Sequence, residues 1–357
     1  MEVETMKLHA IRSQMDAANI DGILVTNSNN VRYLTNFTGT SGIVVISQSE
    51  AVFLTDFRYA KQAEDQIDGY DIKVCERSLM ETVFMEVKRM GISNLGFESA
   101  HVSHDVYSQL KENVDINLVP IKKFVEKLRI IKSKDEIDKL RTAANIGDSA
   151  FKHIVEFIRP GITELDVSNE LEHYMRKEGA TSNSSMIIVA SGVRSSLPHG
   201  VASNKVIEKG DMVTLDFGAL YQGYRSDMTR TVAVGQPNPK LMEIYDIVLE
   251  ALLRATKKIE PEMPAKEVDA IARDYIKSHG YGDNFGHGAG HGIGLDIHED
   301  PFFSTTSKQI VKPGMVVTIE PGIYIPDVGG VRIEDDVVVM EQKNEIITTS
   351  PRELIII

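Results

Sequence analysis

A single cysteine, Cys75, occurs among the 357 residues. An intrachain disulfide is therefore excluded, as is a cysteine-rich metal site, and the usage fits a reducing compartment. Between Ile72, Val74 and polar neighbours, Cys75 reads as a small core residue. No apolar run approaches the roughly 18 residues of a membrane span, so none is expected. Charges interrupt the N-terminal MEVETMKLHAIRSQMDAANI every few positions, which leaves no apolar signal-peptide region. A cytoplasmic protein is the expectation. Leu354–Ile357 is too short for an anchor and should pack as a chain end, and Asn36-Phe37-Thr38 reads as a chance glycosylation match. Positive charge is also in deficit: Lys plus Arg is 39 against 52 Asp plus Glu, for −13. The deficit is −5 before residue 128 and −8 after it, so no acidic tail accounts for it. Phosphate contacts need the opposite sign, so no nucleic-acid partner is expected.

What is present is ordinary for a globular chain, with 42% hydrophobic and 25% charged residues. At about 150 residues per domain, two domains are expected. Leu8, Ile11, Met15 and Ala18 recur at helical spacing, and 22–27, 42–47 and 51–56 have strand character. Helices over 57–66, 79–90 and 103–112, with strands at 94–99 and 116–121, complete a mixed α/β domain over residues 1–127. Ser133 with Glu136 opens a long helix to about 158, and Thr163 with Asp166 opens the next, which Gly179 ends. Strands and glycine-rich loops dominate after 186, broken by helices near 238–258 and 264–279. Residues 128–357 therefore read as α+β, with helices around a curved antiparallel sheet. No internal repeat is evident, nor a phosphate-binding loop, nor a His-Glu-x-x-His helix. The Gly286–Gly294 run lacks dinucleotide spacing.

Five side chains belong together chemically. Asp216 in MVTLDFG and Asp227 in YRSDMTRTVAVG lie on successive strand patterns. A turn near Tyr221-Gln222 would set them directly opposite, with Cβ atoms about 4.5–5.5 Å apart. Glu320, ending MVVTIE, and Glu334, in VRIEDDVVV, have their midpoint at Asp327 inside PDVGG, a strong turn signal. Carboxylates that close repel unless a proton or a metal separates them. An acidic residue on a sheet face is usually solvated, but two such pairs in one domain are harder to dismiss. His287, His291 and His298 lie in FGHGAGHGIGLDIHED, and His199 lies in SSLPHG. Glycines beside His287 and His291 allow close approach of backbone or ligand. One neutral imidazole and four carboxylates can hold two divalent ions with nearly balanced charge. Oxygen-rich ligation favours Mn²⁺, with Co²⁺ or Zn²⁺ as alternatives. Two ions about 3.5–4 Å apart generate a hydroxide nucleophile and clamp a tetrahedral intermediate, which is hydrolytic machinery.

These residues resemble the pita-bread-fold metallopeptidases, a family of Xaa-Pro dipeptidase (prolidase), aminopeptidase P, methionine aminopeptidase and the metal-free creatinase. The order Asp, Asp, His, Glu, Glu is met at Asp216, Asp227, His291, Glu320 and Glu334, with prolidase-like gaps. The resemblance implies a C-terminal pita-bread domain, a smaller creatinase-like N-terminal domain, and these five residues as the ligands of two metal ions. It further implies Glu320 as proton shuttle and His199 beside the substrate. His298 would donate to the scissile carbonyl, and His287 would line the proline end. Arg332 and Tyr324 would stand at the ligands or pocket wall. Cleavage of Xaa-Pro bonds in dipeptides or short peptides by a homodimer is the implied activity. Aminopeptidase P is the alternative; methionine aminopeptidase and a non-catalytic peptide binder stand behind both.

Overall fold

A computed structural model describes residues 2–76 and 78–357. The chain divides into two compact units, Met1–Arg129 and Ile130–Ile357. The first runs past the expected boundary at residue 127 because the short helix Glu126–Arg129 belongs to it: buried Arg129 donates to Asn30 Oδ1 at 2.8 Å.

In the first unit the helices are α1 (Glu2–Ala17), α2 (Ser28–Thr35), α3 (Ala60–Gln66), α4 (Leu79–Arg89), α5 (His104–Asn113) and α6 (Glu126–Arg129). The strands are β1 (Gly22–Val25), β2 (Ile43–Ser47), β3 (Ala51–Asp56), β4 (Asp71–Cys75), β5 (Asn94–Glu98) and β6 (Asn117–Ile121). They form one mixed sheet in the order β4-β3-β2-β1-β5-β6, with β2 antiparallel to both neighbours. Central β1 is buried at every position, which is why GILV reads as an unbroken apolar run. Helix α2 and strand β4 are absent from the sequence expectation. The α2 segment, SNNVRYLT, is largely polar and starts through Asn27, whose side chain accepts from the Asn29 and Asn30 amides. Edge strand β4, Asp71-Ile72-Lys73-Val74-Cys75, alternates polar and apolar residues but buries only Cys75. Cys75 is buried there, and burial raises its thiol pKa.

The second unit opens with α7 (Lys134–Phe157) and α8 (Glu164–Lys177), each starting in a complete capping box. Strands β7 (Ser182–Asn183), β8 (Ile188–Ser191), β9 (Met212–Phe217), β10 (Ala219–Tyr221), β11 (Tyr224–Arg225) and β12 (Met228–Ala233) follow. Then come α9 (Pro239–Lys258) and α10 (Ala265–Ser278). The chain finishes with β13 (Gly290–Gly292), β14 (Glu299–Phe303), β15 (Val316–Ile319), β16 (Gly322–Ile325), β17 (Gly329–Arg332), β18 (Asp335–Val338) and β19 (Glu345–Ile346).

This succession is a repeat, contrary to the sequence expectation. Ile158 and Pro160 before α8 recur as Ile259 and Pro261 before α10. Gly179 and Gly280 end those helices at φ of 106° and 85°. The Ile207 amide donates to Ile162 O at 2.8 Å, and the Val311 amide to Met263 O at 2.9 Å. Thr214-Leu215-Asp216 on β9 answers Thr318-Ile319-Glu320 around the end of β15. Identities are too sparse to be legible in the letters; the helix–turn–strand plan is what repeats.

Each half has its own core. Helices α7 and α8 cover Val213, Leu215, Phe217 and Val232, whereas α9 and α10 cover Val317, Ile319, Ile323 and Val331. Strand alternation turns Thr214, Asp216, Thr229 and Thr231 away from the first core. There the halves join: Thr231 Oγ1 donates to Arg332 O at 2.9 Å, and the Glu334 amide donates to Thr229 O at 3.0 Å. Of the C-terminal isoleucines, Ile355 and Ile357 pack on the first core as expected and Ile356 stays exposed, with the Gly235 amide donating to Ile357 O at 2.8 Å.

Arg230 ties the join from behind. Fully buried, it donates to Asp335 Oδ1 at 2.8 Å, to Ser350 O at 2.9 Å, to Pro351 O at 3.0 Å and to Glu334 O. Arg230→Met is expected to lower unfolding free energy by about 3–5 kcal/mol, because Asp335 loses a buried partner. Urea titration checks this, and a loss under about 1 kcal/mol would contradict it.

Candidate metal centre and active site

The turn between β10 and β11 lies at Gln222-Gly223, both at positive φ, one residue later than expected. Asp216 therefore pairs with Thr229, and Asp227 lies diagonally from it on the same face rather than directly opposite. The hairpin bends at Gly218, where a Cβ would come within 1.8 Å of Ser226 O. The other pair keeps the expected register. Ile319 opposes Asp335 and Gly322 opposes Arg332, so Glu320 and Glu334 face each other across a turn with Asp327 at φ 62°.

Joining the halves brings the two hairpins together. Thr229 Oγ1 donates to Glu334 Oε2 at 2.6 Å, and the Asp227 amide donates to Asp336 Oδ2 at 2.9 Å. His291 enters from β13, where Gly290 and Gly292 sit against the Thr318 and Asp300 carbonyls at distances no Cβ could share. Its Nδ1 donates to Gly292 O at 3.0 Å. Nε2 is left facing Glu320 Oε1 at 3.5 Å and Asp227 Oδ2 at 3.9 Å. One ligand atom each from Asp227, His291 and Glu334 lies within 4.8 Å of the others, and Asp227 Oδ1 is buried with no hydrogen-bond partner.

Arg332 holds Asp216 in an ion pair, and also donates to Thr229 Oγ1 at 3.1 Å and to Pro198 O at 3.1 Å. It donates to Tyr324 Oη at 2.8 Å as well. His287 Nδ1 donates to Gly288 O at 2.8 Å, so its Nε2 accepts from Tyr324 Oη at 2.9 Å. Arg332, Tyr324 and His287 thus form one directed chain. The His298 ring meets His291 edge-on at 4.5 Å, with its other side open to the cavity. His199 is exposed at the cavity wall and does not touch the carboxylates. All ten expected residues line one cavity of about 1150 Å³, whose apolar side includes Ile188, Leu197, Val201, Ile297 and Phe302.

Thr229, Thr318 and Asp336 are contributors that sequence reasoning missed. Thr229 could have been found by strand alternation from Asp227, and Asp336 from the IEDD run. Thr318 accepts from the His291 amide at 3.1 Å, a contact across strands with no local signal.

Burial, followed by the charges of Asp216, Asp336 and Glu320, raises the Asp227 pKa. Burial, then Asp227 and Glu320, raises that of Glu334. Glu320 is pushed up to about 8, by burial first; Arg332 pulls it down and Asp216 up. Burial lowers His291 to about 4, so its imidazole is neutral with a lone pair on Nε2. His287 is likewise lowered to about 4 by burial and by Arg332. A neutral imidazole, crowded carboxylates and an unpartnered oxygen fit a divalent cation.

Comparison with known proteins agrees with this chemistry. Residues 138–341 match metallopeptidase family M24, and residues 7–131 match the Creatinase/Prolidase N-terminal domain. The chain belongs to metallopeptidase family M24: an α+β protein with a smaller creatinase-like α/β domain followed along the chain by the pita-bread fold, and a divalent-metal-dependent hydrolase by family. An Xaa-Pro dipeptidase from Bacillus anthracis has a structure superposing with TM-score 0.98 at 56% identity, covering 99% of this chain and 100% of that one. An Xaa-Pro dipeptidase of Pyrococcus horikoshii is 39% identical over 99% of this chain and 100% of its own. An X-Pro aminopeptidase from Thermotoga maritima superposes with TM-score 0.90 at 37% identity, covering 96% and 100%.

The raised carboxyl pKa values carry a sign. Without metal the folded protein keeps protons that the unfolded chain releases near the ordinary 4.5 of a glutamate. The carboxyl contribution to stability is thus fully present below that value and is lost as pH rises toward about 8, where Glu320 ionises; the lowered imidazoles of His287 and His291 act in the opposite sense below 6.5, so the loss stands unopposed between about 6.5 and 8. Melting temperature in EDTA should fall between about pH 6.5 and 8, and saturating Mn²⁺ should remove most of the slope. A flat profile in EDTA would show that the carboxylates are compensated without metal.

Proposed function

We propose that this protein is an Xaa-Pro dipeptidase that hydrolyses the bond before proline in dipeptides, using two divalent ions, Mn²⁺ foremost. The proposed ligands are Asp216, Asp227, His291, Glu320 and Glu334. The observation that carries the reading is the buried cluster of Asp227, His291 and Glu334 with an unpartnered carboxylate oxygen, set in a cavity of about 1150 Å³. Divalent cations, when bound there, supply Lewis acidity toward a water and a peptide carbonyl. The chain's own groups do the rest. Glu320 accepts a proton from the attacking water and returns it to the proline nitrogen. His298, with one face open to the cavity, donates to the scissile carbonyl oxygen as charge develops. The chain Arg332–Tyr324–His287 holds the proline end, and His199 closes the substrate side. Met1–Arg129 is the creatinase-like domain of this reading and Ile130–Ile357 the catalytic domain. A cytoplasmic homodimer is part of this reading. No helix among the described residues is long and apolar enough to cross a membrane.

Aminopeptidase P is the second reading, favoured by the likeness to the Thermotoga maritima X-Pro aminopeptidase over nearly the whole chain. An equimolar mixture of Ala-Pro and Ala-Pro-Ala with the Mn²⁺-loaded protein separates them. Free proline first supports the dipeptidase, and Pro-Ala first supports the aminopeptidase. Cleavage of neither, with Met released from Met-Ala, would point to methionine aminopeptidase. No turnover of any of the three, with metal bound, would mean a peptide binder. His298→Ala should reduce kcat about 10²–10³-fold with metal content retained. Equal loss of metal would reassign His298 to a structural role.

A further inference from the structure

The segment that carries His199 is pinned by a buried carboxylate outside the metal cluster. Glu164, the first residue of α8, is fully buried. Its Oε1 accepts from the Ser191 amide at 2.8 Å and Ser191 Oγ at 2.9 Å. Its Oε2 accepts from the Ser203 amide at 3.0 Å, from Ser203 Oγ at 2.7 Å and from the Arg194 guanidinium. One carboxylate therefore gathers both ends of residues 191–203. The crest of that segment lines the cavity with Leu197, Pro198, His199 and Val201. Leu197 and Val201 are 50% and 40% exposed, so no apolar core fixes the crest. Further holds on it are also polar: Pro198 O accepts from Arg332, Val201 O accepts from Arg194 at 2.9 Å, and Ser195 Oγ accepts from the Gly330 amide at 2.8 Å.

The repeat shows what the fold itself requires at this position. The equivalent residue of the second half is Ala265, also fully buried at the first position of α10. The Glu164 amide donates to Lys205 O at 3.0 Å, and the Ala265 amide to Gln309 O at 2.8 Å, so the backbone arrangement is the same. A carboxylate is thus not needed to start the helix or bridge the strands. A buried charge is costly unless saturated with donors, and here each donor belongs to the His199 segment.

We infer that Glu164 is a positioning residue for the substrate side of the cavity, acting through the His199 segment and not through the metal cluster. This rests on the activity proposed above. Glu164→Gln keeps the shape but turns an amide toward donors, which should loosen the segment.

The test uses the Mn²⁺-loaded full chain with Glu164→Gln, His199→Ala and the double variant. For Ala-Pro hydrolysis, Glu164→Gln should raise KM about tenfold while kcat changes less than about threefold and metal content stays at the wild-type level. In the His199→Ala background, Glu164→Gln should add less than about a twofold further effect. Hydrogen exchange should quicken in 191–203 and remain unchanged in 286–294. Fully multiplicative effects, metal loss, or unchanged exchange in 191–203 would overturn the inference. If Glu164→Gln fails to fold, Ser203→Ala removes one of the five donors, the Ser203 hydroxyl, at one end and should show the same pattern in smaller measure. A wild-type protein inactive on Ala-Pro would sink the activity reading, whereas the exchange measurement still decides the role of Glu164.

Discussion

Four carboxyl groups, Asp216, Asp227, Glu320 and Glu334, share one cavity, and their mutual repulsion under burial is the constraint around which the second unit is built. Folding brings them together against their preference for water. Arg332 offsets part of the charge by pairing with Asp216, and Thr229 satisfies one oxygen of Glu334. Asp227 Oδ1 remains without a partner. Protons relieve this repulsion in part and divalent cations held by the same groups would relieve more of it, so affinity for metal and the pH dependence expected without it would share one electrostatic origin.

The duplicated scaffold is what makes such crowding attainable. Each half contributes one hairpin with two acids, and each hairpin is backed by its own helical pair and core. The polar strand faces that would otherwise be solvated meet at the join instead. The second half also has an outer brace. Asp269 on α10 accepts from the Ala289 amide at 3.1 Å, and Arg273, paired with Asp269, donates to His287 O at 2.6 Å. The glycine-rich segment is thereby tied to α10 at His287 and Ala289. Glu164 and Asp269 are both buried carboxylates on the second helix of a half, each spent on the loop that faces the cavity from its own side.

Legibility in the letters followed the range of the interaction. The Glu320–Glu334 register could be read because Pro326-Asp327-Val328-Gly329-Gly330 admits a turn centred on its midpoint. The Asp216–Asp227 register missed because Gly223 accepts positive φ and moves the turn by one residue. That shift exchanges a face-to-face pair for a diagonal one without changing the face. Both capping boxes were readable since a cap is settled within four residues. Helix α2 was not, because its stability comes from the Asn27 cap and from packing rather than from apolar periodicity.

The sequence alone determined the donor types, their order, the turns that fold acids back on one another, and enough pattern to resemble a metallopeptidase. Strand alternation and turn chemistry are local, so residues within one hairpin announce their partners. Only the tertiary structure decided that Asp216 leans on Arg332 and that Glu164 gathers the His199 segment. Those outcomes depend on packing one half against the other and a helix start beneath a distant loop. Backbone propensity carries no record of such distances; side-chain proximity across the join creates them.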